Sequence, residues 1–264
     1  MRTLVLSLGI VLGVVSSAFS ADDPNRQAKK PYTDYFDLVK ARGETKVPNM
    51  VAAEVFFMKA VKEGLYSAVE NGLKSGRINV NATDPLGRTA LFYAIENNQL
   101  EILKLLLDNE ANPNLPDDTG NVPIHTAVAE GKWEAFEILV GGGAYLNVEN
   151  HAGDTPLCLA VALGYDRMVD LLLEKGADPK VKSHRWESLL SVAIKKGWTY
   201  IIGRLLEEGV ELESDDIELA RNWEQQDIVQ LLEEHYKARK AGEAGIAQLA
   251  ESVGELNLSE ERSL

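Results

Sequence analysis

A repeat of 33 residues is the feature that most constrains how this chain can fold. Glycine, leucine or isoleucine, and alanine return at that interval in separate columns. A repeat of about 20–50 residues indicates units that stack on one another, because one unit cannot bury its apolar face alone. The columns are Gly87, Gly120 and Gly153; Leu91, Ile124, Leu157 and Leu190; Ala94, Ala127, Ala160 and Ala193; and Leu106, Leu139, Leu172 and Leu205.

Each repeat unit reads as a polar turn followed by two short helices. Aspartate or asparagine precedes the turn glycine, as is typical of tight turns. Pro123 and Pro156 stand where a first helical turn tolerates a missing N–H group, and Gly131 ends the first helix. The spacing of Ile102, Leu105 and Leu106 then predicts a second helix with one apolar face.

Two motifs carry a resemblance to the ankyrin-repeat family. Residues 122–127 (VPIHTA) and 155–160 (TPLCLA) resemble the family's Thr-Pro-Leu-His-x-Ala signature, and residues 172–178 (LLEKGAD) resemble its Leu-Leu-x-x-Gly-Ala-Asp ending. The resemblance implies an all-α solenoid of stacked helix-turn-helix units with degenerate capping repeats. It also implies a binding surface built from the turn tips and the first helices.

The period divides the chain into expected segments. Outside the array, Thr33 is expected to cap a short helix around residues 34–42 that packs on the first repeat, and the acidic tail can form a helix or fray in solvent. The expected segments are a signal peptide at 1–20, a lead at 21–50, a capping repeat at 51–83, clear repeats at 84–116, 117–149 and 150–182, a weaker repeat at 183–212, a second cap at 213–237 and an acidic tail at 238–264.

The first 20 residues are expected to be an export signal. Arg2 precedes an apolar stretch from Leu4 to Phe19, and the small residues Ala18 and Ser20 predict cleavage before Ala21. The alternative is an uncleaved anchor, but the stretch is shorter than the roughly 20 residues that span a bilayer. We therefore expect an exported bacterial protein, in the periplasm or secreted, without stable membrane insertion after cleavage.

Charge narrows the range of partners. Acidic residues outnumber basic ones by 41 to 27, which gives a net charge of -14. A field of that sign repels phosphate backbones and anionic lipid surfaces, so nucleic acid is disfavoured. It accelerates association with a protein that has a basic surface, which is the predicted partner.

No catalytic motif stands out, so no enzyme activity, cofactor or metal is predicted. Cys158 is the single cysteine, which excludes an internal disulfide and a Cys-rich zinc site. His125 is expected to bond neighbouring backbone groups, while the interval between His151 and His184 places them on adjacent tips, too far apart to share one zinc ion. Trp133 and Trp198 are expected to pack in the core or between repeats.

Partner-binding residues are predicted from their position in the unit. They flank the turn glycine, lie in the intervening tips, or stand at the exposed end of the first helix. Aromatic and arginine side chains among them belong to the residue types enriched in binding hot spots. The predicted set is Leu86, Arg88, Thr119, Asn121, Glu130, Tyr145, His151, Asp154, Leu163, Arg185, Trp186, Glu187 and Lys196.

Three functions are compatible with these features. The first is a non-enzymatic protein-binding module outside the cytoplasm, acting as an accessory or regulatory binder of an exported protein. The second is an immunity protein that neutralises a periplasmic toxin. The third, which the sequence favours least, is an enzyme or small-molecule binder that uses a groove in the array, and this function would require convergent polar groups in a concavity.

Overall fold

The computed structural model describes residues 52–181 and 187–241. The chain divides into two units, residues 1–48 and 49–264, and every described residue belongs to the second. The predicted signal peptide and lead, the tail beyond residue 241, and His184, Arg185 and Trp186 lie outside the described residues.

The described chain is a succession of helical hairpins, and no β-strand occurs in its two ranges. In each hairpin a first helix leads through a tight turn into a second helix. The hairpins are α1 (Ala52–Lys62) with α2 (Tyr66–Lys74), α3 (Ala90–Glu96) with α4 (Leu100–Asp108), α5 (Pro123–Ala129) with α6 (Trp133–Gly141), α7 (Pro156–Leu163) with α8 (Asp166–Glu174), α9 (Leu189–Lys196) with α10 (Thr199–Glu207), and α11 (Ser214–Asn222) with α12 (residues 226–241).

The helices form two layers. Each first helix contacts the next first helix, in the order α1, α3, α5, α7, α9 and α11. Second helices contact their neighbours at α2–α4, α4–α6 and α8–α10. The core lies between the layers and contains the apolar repeat columns, with Leu157 and Leu172 fully buried. The predicted all-α stack of helix-turn-helix units is confirmed.

Local sequence explains where the first helices begin and end. Pro156 opens α7 behind Thr155, whose Oγ1 accepts the backbone N–H of Cys158 at 3.3 Å. Thr89 occupies the same N-cap position before α3, but its side chain makes no capping bond. Gly164 ends α7 with φ +73°, which an L side chain rarely adopts.

An asparagine ladder joins the first four described units, from Asn81 to Asp178, a feature that the sequence analysis did not identify. The side-chain oxygen of Asn81 accepts the backbone N–H of Asn112 at 2.7 Å. Asn114 does the same for Tyr145 at 2.7 Å, and Asn147 for Asp178 at 2.8 Å. These bonds fix the spacing of neighbouring tips, because each joins a loop of one unit to the equivalent loop of the next.

The C-terminal boundary differs from the expected one. Helix α12 continues through residue 241, so the predicted end of the array at 237 falls inside a helix. Within the two described ranges, no helix combines the length and the apolar composition that crossing a membrane requires.

Candidate functional site

The turn tips form an ordered row along the stack. The Asp117 carboxylate accepts the backbone N–H groups of Thr119 and Asn121 at 2.9 and 3.0 Å. Asn150 repeats this arrangement one unit later. The N–H of His151 also donates to the Thr119 carbonyl at 3.0 Å, so neighbouring tips are tied to each other. Side chains on these tips are therefore held at fixed positions.

Most of the predicted binding residues lie on accessible surface. Tyr145 is 66% exposed at a tip and Leu86 is 37% exposed. Arg185 and Trp186 lie outside the described residues. Four of the predicted residues, Asn121, Asp154, Leu163 and Glu187, are half-buried, and the exposed ones are Leu86, Thr119, Glu130, Tyr145, His151 and Lys196.

Arg88 is a correction, because its side chain points into the protein and is only 7% exposed. Its Nε donates to the Asp84 carboxylate at 3.2 Å and its Nη2 to Tyr93 Oη at 2.8 Å. Tyr93 in turn donates to Asp84 at 2.7 Å. Burial raises the pKa of the Tyr93 phenol, which keeps it neutral. Arg88 therefore compensates a buried carboxylate and is not available to a partner.

The sequence analysis missed part of the first-helix surface. Three of its residues are half-buried, namely Leu159, Ala162 and Val192, and a fourth, Ala129, is exposed. They belong to two columns of the 33-residue repeat. One column is 126, 159 and 192, and the other is 129, 162 and 195. The sequence signal that could have identified these residues is the column just before the end of the first helix, where the residue type differs from one unit to the next.

Ion pairs connect tip and first helix at both ends of this surface. Arg88 Nη1 bonds Glu96 at 3.1 Å, and Lys195 Nζ bonds Glu187 at 2.8 Å. The two pairs occupy equivalent positions in different units, with the charges exchanged between tip and helix. In the two units between them the helix position is Ala129 or Ala162, which has no group for such a pair.

The surface formed by the turn tips and the first helices is acidic between residues 89 and 165. From residue 89 to residue 165 the sequence contains eleven carboxylates and two lysines. Several of these carboxylates lie on the tips or at the helix ends, including Asp118, Glu130 and Glu149, all exposed. A long-range negative field therefore covers the region where the predicted residues lie.

The described part of the chain does not assemble a reactive centre from its histidines and cysteine. His125 is buried, and its burial lowers the pKa of the imidazole. Burial raises the pKa of the Cys158 thiol, which favours the unreactive protonated form. No group of three or more potential metal ligands occurs in ranges 52–181 and 187–241.

Comparison with known families agrees with the geometry. A family model of three ankyrin-repeat copies matches residues 57–150, and a single ankyrin repeat matches residues 152–184. Within the matched ranges, the described residues 57–150 and 152–181 form ankyrin repeats. Ankyrin repeats imply a protein–protein interaction module, and the family is generally non-enzymatic. The helical hairpins α9 to α12 lie beyond the matched residues.

Several relatives share part of the array. Short transient receptor potential channel 4 of Mus musculus and that of Homo sapiens are 40% identical over 86 residues, which is 31% of this chain and 8% of each relative. The transient receptor potential-gamma protein of Drosophila melanogaster is 37% identical over 71 residues, 25% of this chain and 6% of the relative. The chain thus spans less than a tenth of these relatives, and the similarity concerns one segment of each.

Proposed function

We propose that this ankyrin array is a non-enzymatic accessory or regulatory binder of an exported protein and works outside the cytoplasm. The observation that carries the binding role is the row of ordered tips beside a partly exposed first-helix layer. Tip and helix residues recur at one interval, so one partner can be contacted by several units at once. Export is supported by the amino-terminal pattern of Arg2, an apolar stretch and small residues before Ala21.

Leu163 provides a direct test of the binding surface. It ends a first helix and is half-buried, so a glutamate there would place a charge in the contact without opening the core. We expect Leu163→Glu to reduce capture of the native partner from the envelope fraction by at least about tenfold. Circular dichroism should remain that of the wild type.

Leu171→Glu is the matched control, since Leu171 is half-buried on the second helix of the same unit. This variant should capture the partner as the wild type does. Equal capture by Leu163→Glu and wild type would remove the first-helix surface from the binding site.

Export is tested separately by fractionation and amino-terminal sequencing of the chain from its own cells. We expect an envelope or secreted product that begins at Ala21. A cytoplasmic product that retains residues 1–20 would contradict the location and leave the binding role standing.

A further inference from the structure

The first-helix layer contains a partly exposed, mainly apolar strip in its two middle units, which we call the central floor: Thr126, Ala129, Leu159, Ala162 and Leu163. All five belong to α5 or α7. Ala129 is exposed and the other four are half-buried. This helix face is therefore partly accessible to a partner.

The ends of the central floor are closed by the two tip-to-helix ion pairs. On one side Arg88 and Glu96 bridge tip and helix, and on the other Glu187 and Lys195 do so. Across the middle units the same helix position is alanine, which cannot form such a pair. Neighbouring units pack about 8–10 Å apart, which gives a floor of about 20 Å, or about 13 residues of helix.

The charge around the central floor identifies the kind of partner. Exposed Glu130 stands at its edge, and the exposed carboxylates of Asp118 and Glu149 lie on the adjoining tips. The exposed Lys196, at the end of the neighbouring first helix α9, is the cation in the same column as Glu130, whereas Lys104 lies on the second helix α4 and Lys132 at the N-cap of the second helix α6. Apolar contact in the middle with carboxylates at the rim fits a segment that is itself apolar on one face and cationic on its flanks.

We propose that the central floor receives a cationic amphipathic helix of the partner protein. The helix places its apolar side chains on Leu159 and the two alanines, and its lysines or arginines face Glu130, Asp118 and Glu149. This inference rests on the proposed binding function and specifies the partner's chemistry and its place on the array.

A peptide pair tests the proposal. One 14-residue fluorescent peptide carries leucine at helical spacing and lysine elsewhere, and its twin carries glutamate in place of lysine. Fluorescence anisotropy with the full exported chain should show binding of the lysine peptide that weakens by at least about tenfold when salt rises from about 50 to about 300 mM, because rim charges act through a screened field. The glutamate twin should not bind.

Two variants locate the bound peptide. Ala129→Trp places a large side chain at an exposed site, so folding is preserved. This variant should weaken binding of the lysine peptide by at least about tenfold. Ala238→Trp on the exposed part of α12 is its control and should bind normally. Glu130→Lys should weaken binding, while Glu174→Lys on the second helix α8 should not.

Equal binding of both peptides, or unchanged affinity in Ala129→Trp and Glu130→Lys, would overturn the proposal. Capture of the native partner distinguishes this outcome from failure of the proposed function. A partner that is captured but insensitive to Ala129→Trp leaves the binding function standing and removes the central floor. Failure of the chain to retain any protein of its own envelope would instead remove the binding function.

Discussion

His125 shows how a single residue is fixed by its surroundings. Its Nδ1 accepts the backbone N–H of Val122 at 3.2 Å, and its Nε2 contacts the Asp154 carbonyl at 3.1 Å. A carbonyl can only accept, so the proton of the neutral ring is assigned to Nε2. The imidazole thus joins the start of α5 to the tip of the next unit, as its predicted structural role requires.

The lowered pKa of His125 predicts a loss of stability in mild acid. The unfolded chain binds a proton at the ordinary pKa of 6.5, whereas the folded protein resists it until a lower pH. The contribution of neutral His125 is therefore complete above pH 6.5 and is lost as pH falls below that value, by at most about 1.4 kcal/mol per pH unit.

Urea unfolding between pH 7.5 and 5 measures this slope. His125→Gln should show a shallower dependence on pH than the wild type. Identical slopes for His125→Gln and the wild type would assign the acid sensitivity to other groups.

At the scale of the helices, the turn between first and second helix is a docking point for the following unit. A Cβ built on Gly131 would lie 2.9 Å from Tyr165 Oη, and one built on Gly164 would lie 2.6 Å from the Trp198 indole. Each aromatic side chain reaches back over the turn before it. Trp133 packs in a related way, with its ring 5.8 Å from that of Phe136 and the Arg167 guanidinium 4.3 Å above it. Trp198 thus approaches the turn of the preceding unit, and Trp133 is contacted by Arg167 of the following unit.

Two glycine substitutions separate backbone strain from close approach. Gly164 and Gly176 both have positive φ, +73° and +88°, but a Cβ on Gly176 meets nothing within 4 Å. Gly176→Ala should cost about 1–2 kcal/mol of unfolding free energy through strain alone. Gly164→Ala should cost about 1–3 kcal/mol more, because the methyl group must displace Trp198. Equal losses of unfolding free energy for the two variants in chemical denaturation would show that Trp198 can move aside at little cost.

The core of the hairpins gives a second test at this scale. Leu172 on α8 is fully buried, so Leu172→Ala should lower the unfolding free energy by about 2–5 kcal/mol through the cavity that it leaves. Leu171→Ala, at the half-buried neighbouring position, should cost less. A shift in the denaturation midpoint no larger than that of Leu171→Ala would contradict a packed core at α8.

The described repeats are held together by nearest-neighbour contacts. First helices stack in order, and the asparagine ladder repeats the same loop-to-loop bond between units. In such an array stability is the sum of unit terms and interface terms, so an interface formed at every step couples the units. The net charge of -14 on the chain opposes compaction through self-repulsion.

This coupling predicts one unfolding transition. Cys158 is 3% exposed in the third clear repeat, so it should react with a thiol reagent only when that repeat opens. The fraction of protein labelled across a urea series should follow the loss of helical circular dichroism at the same midpoint. Labelling that is complete at clearly lower urea would show that the third repeat opens independently.

The repeat pattern was sufficient to predict the fold of the array. Period, turn glycines and the prolines of the first helices specify hairpins that must stack, because no single hairpin buries its apolar face. It also placed tip residues such as Thr119 and Tyr145 correctly on the surface. These features depend on local spacing, which a linear pattern preserves.

The role of each side chain depends on contacts that form only in the folded protein. Arg88 shares the tip position of Asn121 and Asp154, yet it is buried because Asp84 and Tyr93 offer it acceptors. The central floor exists because alanines at 129 and 162 lie between two ion pairs that form across a tip and a helix. The asparagine ladder likewise joins residues about one repeat apart. Such outcomes depend on which groups meet in space, and the repeat interval does not specify which groups meet.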